Sequence, residues 1–454
     1  MTSLTRRSLL QTTAAAAFVR RLNAASRPNI LLITTDQQFA DAMSCRIGDR
    51  YLKTPNMDSL AADGTLFARA YCANPLCVPS RTSIFTGRYP VETRVQTNDT
   101  SPIDAKRFPC LGEHFKRAGY QTAYFGKWHL PYPEKQKAVH GFDVVEWDKT
   151  QRDASTETGT AAFLRGKHSA PFFAVASFLN PHNICEWARD QELSEGAIGA
   201  PPPLEQCPPW RPNHAPQKDE PDIVTTMRHS YQATPMFPVG KFDEKRWRQY
   251  VWAYYRLIEK ADARIGQVLK ALRDTGLDRD TLVVFSADHG DCQGAHGWNQ
   301  KTILWEEAAR VPCILSWKGV TKAATSNRLV NTGVDFWPTF SDYAGIPKPE
   351  ALPGVSMKDP SDTRDYVIVS DKLVQGAPVN GKDMEPEGRM LRGKRFKYTA
   401  FSEGEHREAL VDLEKDPGET TNLARDPAQT QELKRNRALL KAWCNHHNDS
   451  FPAV

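Results

Sequence analysis

Four apolar runs in this 454-residue chain end on side chains able to do chemistry. Asn29–Thr35 leads into Asp36-Gln37, and Gln121–Phe125 leads into Gly126-Lys127-Trp128-His129. Pro171–Leu179 leads into Asn180-Pro181-His182, and Thr281–Ala287 leads into Asp288-His289. Two carboxylates (Asp36, Asp288), the Gln37 amide and the His289 imidazole suit a hard divalent cation such as Ca2+ or Mg2+. Such an ion acts as a Lewis acid on an anionic group. Lys127, His129, His182, His296 and Lys301 would add cationic or hydrogen-bonding groups, and the whole set suits a tetrahedral oxyanion. Each residue alone says little. An aspartate at a strand end serves turns as readily, a single histidine is commonly structural, and Lys301 reads equally well as a solvated lysine. Four such ends converging in one sheet are hard to derive from structural needs alone.

A fifth feature is Cys77-Val78-Pro79-Ser80-Arg81, followed by Thr86-Gly87-Arg88. Pro79 and Ser80 suit a helix start, which would put Cys77 near the positive end of a helix dipole. A thiolate there would be activated. A buried or disulfide-bonded cysteine is the plainer alternative.

The apolar runs read as strands buried on both faces. Between them lie helices. One starts at Thr54-Pro55, and one spans Glu244–Leu272 with apolar residues at Trp247, Val251, Tyr254, Ile258, Ala261, Ile265, Val268 and Leu272. Another covers Asp335–Ala344. The alternation predicts an α/β fold with a large mainly parallel or mixed sheet flanked by helices. Ligand chemistry then belongs beyond the carboxyl ends of the strands. Residues 201–238 carry ten of the 32 prolines and read as a long irregular loop. After a Pro/Gly-rich linker at 345–360, short strands at Tyr366–Ser370, Arg389–Phe401 and Ala409–Leu413 and a helix near Gln429–Trp443 predict a smaller C-terminal α+β domain.

The formal charge is +5, and residues 1–26 hold four arginines and no acid. The near-neutral remainder is not the footprint of a nucleic-acid binder. Arg6-Arg7, Leu9-Leu10, a short alanine-rich stretch and small residues near 23–26 read as a twin-arginine export signal, too weak for a stable membrane span. The expected location is the periplasm or outside the cell. Nine cysteines in an oxidising compartment permit disulfides, with Cys185–Cys207 one candidate pair.

Cys-x-Pro-Ser-Arg followed by Thr-Gly-Arg resembles the signature of the formylglycine-dependent sulfatases. The likeness extends to Arg27–Ile33 with Asp36-Gln37, Thr54–Leu60, Gly126–His129, Asn180–His182, Ser286–Lys301, Arg389–Arg392 and Asp412–Glu419, in the family's order. The resemblance implies an alkaline-phosphatase-like fold, with a catalytic domain over 27–345 and a C-terminal subdomain over 346–454. It implies that a formylglycine-generating enzyme oxidises Cys77 to formylglycine. One hydroxyl of the hydrated aldehyde would attack the sulfur of a sulfate ester and displace the alcohol, and the second would lose its proton and expel sulfate, regenerating the aldehyde. By position, Asp36, Gln37, Asp288 and His289 would hold Ca2+ (or Mg2+) with the modified Cys77. Arg81 would stabilise that residue, Lys127 and Lys301 would bind sulfate, and His129 would assist at the diol. His182 would act as leaving-group acid or sulfate ligand, and His296 would touch substrate. Many members carry two acids where this chain has Asp36-Gln37. The expected substrate is a sulfated carbohydrate, with Trp187, Trp210 and Trp298 open to sugar stacking or to core packing. A phosphonate monoester or phosphodiester hydrolase, and a catalytically silent glycan-binding relative, are the alternatives.

Overall fold

A computed structural model describes residues 27–148, 150, 152–361 and 363–452. The segment read as an export signal lies outside the described residues. Among them, no helix is long and apolar enough to cross a membrane.

Eight strands form the main sheet: β1 (Asn29–Asp36), β2 (Thr65–Tyr71), β3 (Gln121–Gly126), β4 (Val144–Glu146), β5 (Phe172–Pro181), β6 (Thr281–Ala287), β7 (Cys313–Ser316) and β8 (Ala324–Asn331). Their order is β4-β3-β5-β1-β6-β7-β2-β8. All run the same way except β7, which is antiparallel to both neighbours. Every residue of β1 is buried. Ile30 and Leu32 enter one core and Leu31 and Ile33 the other. Burial on both faces explains why this strand reads as an unbroken apolar run rather than an alternating one.

The helix Glu244–Asp274 lies in the second core, its start capped by Asp243, whose side chain accepts from the Arg246 N–H. The Cys77–Thr86 helix is buried at all ten residues and ends on Gly87, whose φ of 65° suits a left-handed cap. Four antiparallel strands, β9 (Tyr366–Lys372), β10 (Glu387–Gly393), β11 (Phe396–Phe401) and β12 (Glu408–Asp412), form a second sheet packed with the helix Thr430–His446.

Three expectations are corrected. The proline-rich stretch is not irregular throughout: Asp222–Gln232 is a helix that buries Ile223, Val224, Met227 and Tyr231. The prolines stop at Pro221 and resume at Pro235, which leaves room for three turns whose apolar period the composition hid. Arg389–Phe401 is a hairpin of two strands rather than one. Cys185 and Cys207 are unpaired, as are the other seven cysteines. Cys185 packs against the Gln37 amide, while the Cys207 thiol points to the Pro202 carbonyl.

Candidate active site

Strand register brings the polar ends together. Thr35 pairs with Ala287, so Asp288 follows beside Asp36, and Asp36 itself pairs with Pro181, next to His182. Gly126 pairs with Ser177 and hands the chain to Lys127. A Cβ on Gly126 would meet the Ser177 carbonyl oxygen at 2.0 Å, and its φ of +93° also excludes a side chain there. The Cys77 helix points its first residue into this group. Its first turn is tied down by Val78 N–H donating to Asn98 Oδ1 at 3.1 Å and by the Ser80 hydroxyl donating to the Asp288 carbonyl.

Cys77 Sγ lies 3.2 Å from Lys301 Nζ, 3.3 Å from His289 Nε2, 3.8 Å from Asp36 Oδ1 and 3.9 Å from Lys127 Nζ. Arg81, one turn along the helix, joins both carboxylates: Nη2 to Asp36 at 3.0 Å and Nε to Asp288 at 2.9 Å. It also donates to Ser177 Oγ and the Lys127 carbonyl. Lys127 Nζ sits 2.7 Å from Asp36. Gln37 is held on both sides, its Nε2 donating to Asp291 at 2.7 Å and its Oε1 accepting from Lys301 at 2.8 Å. Its φ of +69° departs from what a side chain prefers, a strain of the kind that collects at functional sites. Tyr254 of the long helix donates to the Gln37 carbonyl at 2.7 Å, and Tyr250 donates to Asp291, so that helix fixes the loop from the other core.

Charges decide the protonation pattern. Burial and Asp36 push the Cys77 thiol up, but Lys127, Lys301 and His289 outweigh them and hold it well below the ordinary thiol range. Burial likewise works against the charged form of Asp36. Lys127, His182, Arg81 and Lys301 nonetheless keep its carboxyl well below the usual range. Asp288 is shifted the other way, raised by burial and by the adjacent Asp36. Burial opposes protonation of His289, yet Asp288 lifts it above its ordinary value.

Ligand atoms of Asp36, Cys77, Asp288 and His289 all lie within 4.8 Å of one another, and all four residues are buried. Two carboxylates forced together in a dry site, with an imidazole and a polar group at position 77, fit a divalent cation in donor type and in charge.

The sulfatase family model matches residues 28–346. The chain belongs to the sulfatase family. A second model, the C-terminal region of N-sulphoglucosamine sulphohydrolase, matches residues 294–443. A Delta 4,5-hexuronate-2-O-sulfatase of Bacteroides thetaiotaomicron is 29% identical, the match covering 95% of this chain and 92% of the relative. An ulvan-active sulfatase of Formosa agariphila is also 29% identical, over 88% of this chain and 77% of its own. The solved structure of a 2-O GAG sulfatase superposes with a TM-score of 0.82 at 27% identity, covering 94% of both chains. The protein is therefore a sulfuric ester hydrolase with the family's alkaline-phosphatase-like α/β fold.

In this sulfatase, Lys127, His129 and His182 line one cavity of about 220 Å³, together with Trp147, Asp148 and Arg152. His129 adopts φ +44°, a left-handed conformation uncommon outside glycine. Trp147 is the tryptophan at this cavity. Trp298 is buried, Trp187 stacks beneath Arg246, and Trp210 packs on His214. His296 is not brought to Cys77. It is fully buried, stacks on Trp305 at 3.9 Å and faces Glu307 and Glu419.

Several supporting residues carry no local signal. Asp291, Asn98, Ser177 and Tyr254 act through partners 20 to 254 positions away, a separation that no periodicity reveals. Asp153 is the clearest case. Its carboxylate accepts from the Leu179 N–H at 2.5 Å, the Asn180 N–H at 3.0 Å and Asn180 Nδ2 at 2.8 Å, and so clamps the strand end that carries His182. Asp153→Ala strands those buried donors. Thermal and denaturant unfolding should show a loss of about 1–3 kcal/mol. kcat should fall more than the share of unfolded protein explains, and a variant that keeps wild-type kcat would disprove the clamp.

Proposed function

We propose that this sulfatase removes sulfate from a sulfated carbohydrate in the periplasm or outside the cell. Cys77 is converted to formylglycine by a formylglycine-generating enzyme, and Ca2+ is held by Asp36, Gln37, Asp288 and His289; Mg2+ suits the same donors. The observation that carries the reading is the cage around Cys77 Sγ, two lysines and an imidazole within 3.9 Å of a buried cysteine. An unmodified thiol needs no such cage, whereas the hydroxyls of a hydrated aldehyde would find partners in all of it. Once hydrated, the aldehyde supplies an oxygen nucleophile for sulfur.

The chain's own groups then have separable tasks. Arg81 pairs with Asp36 and Asp288 and offsets the charge of both. Lys127 and Lys301 bind the sulfate oxygens and offset charge as the S–O bond breaks. His129 assists at the modified residue, and His182 donates a proton to the departing alkoxide. Burial, Lys301 and Lys127 hold His182 below the ordinary imidazole range, with Asp36 opposing. A general acid must be protonated, so kcat/KM for alkyl sulfates should fall as pH rises through a value below 6.5. His182→Ala should flatten that limb and hurt alkyl sulfates far more than activated aryl sulfates. Equal losses for both classes would remove the acid role.

The named relatives act on a hexuronate 2-O-sulfate and on ulvan, which supports a carbohydrate substrate here. Sulfate release from a 2-O-sulfated unsaturated uronate disaccharide and from an aryl sulfate, beside hydrolysis of an aryl phosphodiester, tests the reading. Sulfate release is expected to dominate. A phosphodiester preferred over both esters would overturn it.

A further inference from the structure

A surface groove is lined by the segments that follow the Cys77–Thr86 helix. It is made of two adjoining depressions of about 640 and 400 Å³ that share a wall formed by Glu92, Arg94, Arg107 and Phe108. One end lies at Arg88, just past the helix C-terminus, with His446 and His447 opposite. From there the chain turns back toward the nucleophile end, where Asn98 Oδ1 accepts from Val78 N–H. Two adjoining depressions of this size have room for an oligosaccharide rather than for one sugar.

Its charge is unbalanced. Glu92 is engaged by Arg88 at 3.4 Å and by His447 at 3.7 Å. Asp99 and Asp104 are engaged by their own turns, accepting from Ser101 and from the Lys106 N–H. Arg94 and Arg107 are exposed, and neither has a carboxylate within ion-pair distance among the described residues. Arg94 is held at φ +61°, which fixes where its backbone presents the side chain. The Arg107 guanidinium lies over the Phe108 ring at 5.0 Å, and Leu352 and Pro353 add apolar floor. Two unpaired guanidinium forks above an apolar floor match a chain that alternates sulfate or carboxylate groups with sugar C–H faces.

We infer that this groove binds a sulfated glycan chain at a distance from the reacting ester, with Arg94 and Arg107 reading its additional anionic groups. The inference rests on the glycan reading above. The same enzyme would then take oligosaccharides at lower concentration than single sugars, while the chemical step stays the same.

The test uses Cys77→Ala protein for binding and otherwise wild-type protein for turnover, each with and without Arg94→Ser/Arg107→Ser. The probes are a heparin tetrasaccharide, its desulfated counterpart and a short single-stranded DNA. The double variant should weaken tetrasaccharide binding about tenfold or more, with a shallower salt dependence, and leave aryl sulfate turnover within about twofold. Unchanged tetrasaccharide affinity would overturn the groove. So would DNA binding of equal strength lost to the same substitutions, since that marks an unselective polyanion patch. Absence of any aryl sulfate turnover in matured enzyme would sink the catalytic reading, and binding to the Cys77→Ala protein would still report on the groove.

Discussion

Cys77→Ala should abolish sulfate ester hydrolysis, a loss of about 10⁶-fold or more, because every other group in the site acts on a nucleophile made from this residue. The fold should survive. The side chain is fully buried, yet its sulfur contacts charged and polar atoms rather than an apolar shell, so its removal leaves little packing to lose. The expected change in unfolding free energy is about 1 kcal/mol. Circular dichroism and unfolding would establish the fold, and an aryl sulfate assay the loss. Retained activity in a properly folded variant would end the account of Cys77.

Removing the cation should cost nearly as much. A divalent ion supplies several kcal/mol of charge stabilisation at the reacting oxygens, which corresponds to about 10³-fold in rate. Asp288→Ala or exhaustive chelation should therefore lower kcat/KM by that order. Arg81 keeps its contact with Asp36 in the variant, so the carboxylate cluster is not left wholly uncompensated. A second readout is independent of activity. Ca2+ at 100 times its dissociation constant should stabilise the folded wild-type protein by about 2.7 kcal/mol and the Asp288→Ala variant much less. Rates and melting temperatures indifferent to chelator would remove the metal from the account.

The sheet was legible because its strands are buried on both faces and so appear as apolar runs that stop abruptly at Asp36, Lys127, His182 and Asp288. Stopping points of strands are where an α/β fold presents chemistry, so the positions of most site residues followed from the same pattern that gave the fold. Three strands escaped notice, among them β4 with only three residues. β2 is interrupted by half-buried Thr65, Ala68 and Arg69, and β8 exposes its first half, so neither forms a continuous apolar run. His296 shows the limit of motif spacing. Five residues before Lys301, it nonetheless turns away from the cavity, because Gly294 and Gly297, both in left-handed conformations, bend the chain on either side of it. The Gln37 amide was read as a ligand from its place after Asp36. Only the structure shows that Lys301 and Asp291 orient it, a consequence of contacts more than 250 residues apart.

The chemistry converges on one atom group, the side chain at position 77. Peptide mass spectrometry across Cys77, on protein produced with an active formylglycine-generating enzyme of the cysteine-oxidising type, tests it most directly. The account predicts a peptide with the mass of the aldehyde or its hydrate in place of the thiol, in proportion to the specific activity of the preparation. A peptide that carries only the thiol, from protein that nevertheless hydrolyses sulfate esters, would contradict it.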